Sequence, residues 1–110
     1  TGVAKDEKEA VDWYTKAAEL GNAIAMCNLG VCYKYGTGVK KDEKKAIEWY
    51  TKAAELGYDR AMCNLGVCYK YGTGVAKDEK NAVEWYTKAA ELGYARAIAI
   101  LENATIMAQV

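Results

Sequence analysis

Ala61-Met62-Cys63-Asn64-Leu65-Gly66-Val67-Cys68-Tyr69-Lys70-Tyr71-Gly72-Thr73-Gly74-Val75 reads as one short helix with its stop signal, and the same run occurs at residues 25–39. Working outward from it, the whole chain has a period of 36 residues. Gly2-Val3, Gly38-Val39 and Gly74-Val75 open three copies, and Trp13, Trp49 and Trp85 fall at the same point in each. Between residues 2–37 and 38–73, 29 of 36 positions are identical. A period in this range signals stacked supersecondary units, each unable to bury its apolar face without a neighbour.

Each copy holds two helical patterns. One runs from Asp42 to Leu56 and is stopped by Gly57. Ala46, Tyr50 and Ala53, with Ile47 and Ala54, recur at helical spacing and define an apolar face. Asp42 is placed to cap the N-terminus, and Glu43 follows where the helix dipole favours negative charge. Asp12–Lys16, Glu48–Lys52 and Glu84–Lys88 stand four apart in the order that favours ion pairing on the solvent side. The other pattern is Asp59–Tyr71, with Ala61, Leu65, Cys68 and Tyr69 as its inward stripe. Gly66 lies in its middle, where glycine costs about 1 kcal/mol relative to alanine. Its recurrence with Gly30 marks a place where a neighbouring helix or a bulky ring must come close to the backbone. The spacing predicts six helices, near 6–20, 23–35, 42–56, 59–71, 78–92 and 95–109. The last departs from the pattern: Ile100, Glu102, Ala104, Thr105 and Met107 stand where the earlier copy has Asn64, Gly66, Cys68, Tyr69 and Tyr71.

Fifteen basic and fifteen acidic residues cancel, so no global field favours nucleic acid or an anionic membrane. No apolar run approaches the roughly 18 residues of a membrane span. No charged-then-apolar leader opens the sequence, a feature that a cytoplasmic chain and a mature secreted chain would share. His, Ser, Phe and Pro are absent. So narrow an alphabet with such close repetition fits recent duplication or a consensus-type engineered array, and leans toward the second.

Without His or Ser, neither Ser-His-Asp nor Cys-His nucleophilic systems can be assembled. Acidic residues follow the repeat on solvent-facing helix positions, as a solvated face does. The Gly36-Thr37-Gly38 and Gly72-Thr73-Gly74 loops follow a helix rather than a strand and lack the Lys-Ser/Thr of a phosphate loop. Five residues along a helix turn a side chain by roughly 500°, so Cys27 and Cys32 point about 140° apart. The same holds for Cys63 and Cys68. That spacing suits neither a local disulfide nor a zinc knuckle, and packed free thiols in a reducing compartment are expected. Neither a metal nor a cofactor is expected. Trp13, Trp49 and Trp85, with Tyr14, Tyr50 and Tyr86, sit at core spacing and are expected to pack between helices rather than stack bases or sugars.

The run from Ala61 to Val75, its continuation Lys77-Asp78, then Ala82, Trp85-Tyr86, Lys88-Ala89-Ala90 and Gly93, resembles the Sel-one-like repeat, a relative of the tetratricopeptide repeat. The family usually has Pro near Ala4, Lys40 and Ala76. The resemblance implies an all-α fold: an α-solenoid of antiparallel helix pairs in a right-handed superhelix, with a concave binding face and a scaffold or adaptor role. The expected organisation is one solenoid domain, residues 1–110, of three repeats at about 2–37, 38–73 and 74–110, the last with an atypical terminal helix. Some secreted members use disulfides that pair a cysteine of the Trp-Tyr helix with one of the next helix; Ala17, Ala18, Ala53 and Ala54 leave no such partner. In arrays of this kind the outward stripe of the Asn-Leu-Gly helix lines the groove. Here it is Ile24, Cys27, Val31, Lys34 and Tyr35, then Arg60, Cys63, Val67, Lys70 and Tyr71, with Arg96 following. Apolar contact, flat rings and cations together suit an extended, acidic peptide. The expected function is a non-enzymatic scaffold for protein or peptide binding, and the alternative is an engineered array with a structural purpose only. The two terminal flanks, left uncovered, would favour head-to-tail self-association.

Overall fold

A computed structural model describes residues 2–109 as six α-helices: α1 (Gly2–Glu19), α2 (Ala23–Tyr35), α3 (Glu43–Glu55), α4 (Asp59–Tyr71), α5 (Glu79–Glu91) and α6 (Ala95–Gln109). Each packs chiefly on the helices before and after it in the chain, giving an elongated α-solenoid of 50 × 24 × 23 Å. The boundaries follow the sequence signals. Asp42 and Asp78 accept hydrogen bonds from the Lys45 and Asn81 backbone N–H groups at 3.1 Å and so stand just outside α3 and α5 as caps. At the other end of α3, Gly57 takes φ 89°. Its N–H donates to Ala54 and that of Tyr58 to Ala53, at 2.9 and 3.1 Å, which closes the helix with a Schellman motif.

α1 departs from the expected start near residue 6 and runs back to Gly2. Asp42 does not extend α3 in this way because the loop before it is tied to α2: the Asp42 N–H donates to the Tyr33 carbonyl at 2.8 Å. Among the described residues no such tie constrains Asp6, and the backbone stays helical through it.

The core is built from small side chains, with alanine and cysteine at most positions and Leu29, Leu65, Tyr50 and Tyr86 as its bulk. No polar or charged residue among those described is fully buried. Small residues let helices approach, and the mid-helix glycines carry this furthest. A Cβ on Gly30 would lie 2.5 Å from the Tyr50 ring, and one on Gly66 2.5 Å from the Tyr86 ring. The close approach expected there is therefore made by a ring. Tyr50 and Tyr86 plug glycine notches one helix back, so α2 packs on α3, and α4 on α5, more closely than the other neighbours do.

The lysines spaced for ion pairs do something else. Lys16, Lys52 and Lys88 lie over the rings of Trp13, Trp49 and Trp85, 4.8, 4.8 and 4.6 Å from the ring centres. The ion pairs found among the described residues are instead Lys41–Glu43 and Lys77–Glu79, both exposed. A lysine stem laid on an indole gains packing and a cation–π contact, which outweighs a solvated ion pair. Trp49 and Trp85 are half-buried against the core as expected, but Trp13, on a helix flanked on one side only, is 67% exposed.

Candidate functional site

The residues expected to line the groove do not all reach it. Val31, Lys34 and Tyr35 of α2, Arg60 and Val67 of α4, and Arg96 of α6 surround one pocket of about 170 Å³. Its members come from three successive copies of the repeat, because the superhelix brings equivalent positions side by side. Ile24 is exposed on α2 outside this pocket. Lys70 and Tyr71 lie one repeat further along; Lys70 borders a separate opening of about 460 Å³ between α5 and α6, beside Tyr86 and Met107.

Cys27 and Cys63 require correction. Neither lines the groove, for both are fully buried. Their positions fall at the centre of the buried face of α2 and α4, beneath the stripe rather than on it. Asn64 Nδ2 donates to Cys27 Sγ at 3.5 Å, so the first thiol is sealed under the pocket by a residue of the next copy. All four cysteines are buried free thiols. Among the described residues no cluster of His, Cys, Asp and Glu is arranged to hold a metal ion.

Two pocket residues were not singled out from sequence as groove-lining. Tyr50 belongs to the core by its spacing, and its plugged ring does lie there while the residue also borders the pocket. Asn64 was read only as part of the repeat motif. The available signal was positional: Asn64 sits one helical turn from Arg60 and three residues before Val67 on the same face.

The pocket is rich in donors. Among the described residues Lys34, Arg60 and Arg96 make no ion pair, and no carboxylate lines the cavity. Burial pushes the Tyr50 hydroxyl far above its ordinary value; the Cys68 and Cys27 thiols add to this and Arg60 opposes it, so the phenol stays protonated as a donor. Burial likewise raises the Cys27 thiol to about 11, against the pull of Arg60 and the Asn64 hydrogen bond. Cys68 is raised by burial too, with Lys34 opposing. Lys34, Arg60 and Arg96 with the Asn64 amide around one small cavity can receive a carboxylate or a comparable anion through charge-assisted hydrogen bonds.

Comparison with known proteins agrees with this architecture. The family model described as Sel1 repeat matches residues 1–22, 23–58 and 59–94. The latter two stretches coincide with the closely packed pairs α2–α3 and α4–α5. A Sel1 repeat protein from Oxalobacter formigenes is 46% identical with a TM-score of 0.80, over 84% of this chain and 38% of that one. The c5321 protein, a protective antigen of uropathogenic Escherichia coli with an SLR fold, is 44% identical with a TM-score of 0.79, over 82% of this chain and 19% of that one. Helicobacter pylori cysteine rich protein B is 38% identical with a TM-score of 0.78, over 82% of this chain and 68% of that one. The chain thus spans about a fifth of the length of the E. coli antigen. No curated protein matches it.

Proposed function

Because the chain belongs to the Sel1 repeat family, whose members are generally non-catalytic protein-interaction scaffolds, we propose that its concave stripe binds an extended acidic peptide. One observation carries the reading: Lys34, Arg60 and Arg96, none of them ion-paired among the described residues, converge on one pocket with Tyr50 and Asn64. A C-terminal carboxylate or an acidic side chain would enter that cavity, with Val31, Val67 and Tyr35 beside it as contact area. The groove is short, so affinity is of micromolar order. The cations face solvent, so binding weakens as salt rises. The buried free thiols fit a reducing compartment.

An array of purely structural purpose is the second reading, favoured by the identity of 29 of 36 positions between the first two copies. A peptide array of acidic and amidated-control sequences separates the two. Hits that lose at least about tenfold in affinity with an Arg60→Glu, Arg96→Glu double variant support the pocket, that factor being about 1.4 kcal/mol. Hits unaffected by the variant place binding elsewhere, and an array without hits favours the structural reading.

A further inference from the structure

The head-to-tail stacking expected from the uncovered flanks meets an obstacle at α6. Tyr50 and Tyr86 are 1% and 3% exposed because Gly30 and Gly66 have no Cβ to meet them. One repeat further on, the notch position carries Glu102. We infer that Glu102 closes the array: α6 cannot receive another Trp-Tyr helix in the geometry of this repeat, so a second copy of the chain cannot continue the solenoid.

Shape alone excludes the docking. A single Cβ at either glycine would stand 2.5 Å from ring carbons, closer than real Cβ atoms come. Glutamate brings that Cβ and a charged chain beyond it, whose carboxylate would lose its water against an aromatic face. A second observation points the same way. α2 and α4 stop at left-handed glycines, Gly36 and Gly72, both with φ 71°, which lead the chain toward the next unit. The equivalent position in α6 is Ala108, and the helix runs through it to Gln109. Notch and stop signal are thus both absent from the same helix.

The opposite end retains its plug. Tyr14 occupies the position of Tyr50 and Tyr86 but is only half-buried, a ring without a glycine to enter. In a stack of two copies Tyr14 of one would have to occupy the space of Glu102 of the other. Helix packing alone decides this, whatever the groove binds.

Sedimentation velocity over a wide concentration range tests it with three variants. The parent chain and Glu102→Ala are expected to show no stacking, because alanine removes the charge but keeps the Cβ. Glu102→Gly restores the notch and is expected to associate at least tenfold more tightly than either. Adding Tyr14→Ala to Glu102→Gly should abolish the gain. Parent or Glu102→Ala chains that associate as strongly as Glu102→Gly overturn the inference, and so does a Glu102→Gly chain that gains nothing. The reverse graft does not depend on folding of that variant: Gly66→Glu should pry α5 from α4, seen as a lowered melting temperature and loss of amide protection in α5. An unchanged melting temperature and protection pattern there would also overturn it.

Discussion

At the scale of single residues, glycine and tyrosine share one function. Replacing a mid-helix glycine by alanine ordinarily stabilises by about 1 kcal/mol. At Gly66 the added methyl would meet the Tyr86 ring, and overpacking costs about 1–3 kcal/mol. Gly30→Ala and Gly66→Ala are therefore expected to destabilise the fold in urea unfolding, whereas alanine at position 102, where no ring docks, should be neutral or better. The need for close approach was legible in the sequence, since a costly glycine recurs. The plug was less so, because its ring comes from the next helix, 20 residues on. Cys27 gives a prediction of opposite character. Its thiol is raised from 9.0 to about 11 chiefly by burial, so the unfolded chain ionises first as pH rises. The stability this contributes is complete below about pH 9 and drains away as pH climbs toward 11. Tyr86, raised to about 12 by burial, extends the decline upward. Thermal melts across that range should show it, and Cys27→Ala should make the early part of the decline shallower. Native thiols should react slowly with a thiol reagent, and four should react once the chain is unfolded.

Elements start and stop where capping chemistry puts them. Asp42→Ala and Asp78→Ala each remove one cap hydrogen bond and are expected to lower stability by about 1 kcal/mol in denaturant titrations. Asn22 caps α2 through the Ala25 N–H, while Tyr58, at the same place before α4, makes no such bond and is packed against the core instead. Helix positions were legible to within a residue or two wherever a cap and a glycine bracketed an apolar pattern. The start of α1 was not, because the tie that fixes α3 belongs to the preceding helix and is invisible in local sequence. The lysines depart from the ion pairing that their spacing allows for a related reason. Spacing identifies which groups can meet, and Lys52 can reach either Glu48 or Trp49; only the geometry of the stem over the indole decides.

For the whole molecule, the decisive property is that contacts run between sequence neighbours along a 50 Å axis. Stability in such an array is a sum of local and nearest-neighbour terms, so it falls toward the ends. Amides of α1 and α6 should exchange faster than those of α2 to α5 in hydrogen-exchange measurements, and uniform protection would contradict this. The groove shows what sequence can and cannot supply at this scale. The family resemblance points to the stripe, and the cations Lys34, Arg60 and Arg96 all belong to it. Which of its members converge depends on the rotation between repeats, a property of the stack. That rotation places three copies around one pocket and leaves Lys70 and Tyr71 outside it, while Cys27 and Cys63 lie on the buried faces of their own helices.

The two kinds of connection between helices differ in how they would tolerate added chain. At the short turn, a Cβ on Gly57 would meet nothing within 4 Å, so the turn projects into open space. The longer loop is sewn down: the Asp78 N–H donates to Tyr69 at 2.9 Å, and Gly74 sits against the Glu43 backbone one helix earlier. A foreign segment spliced after Gly57 would hang free, while the same segment spliced after Gly74 would wedge α3 from the unit that follows. Cargo loops, epitopes or domains grafted onto this rod therefore belong on the margin that carries Gly21, Gly57 and Gly93.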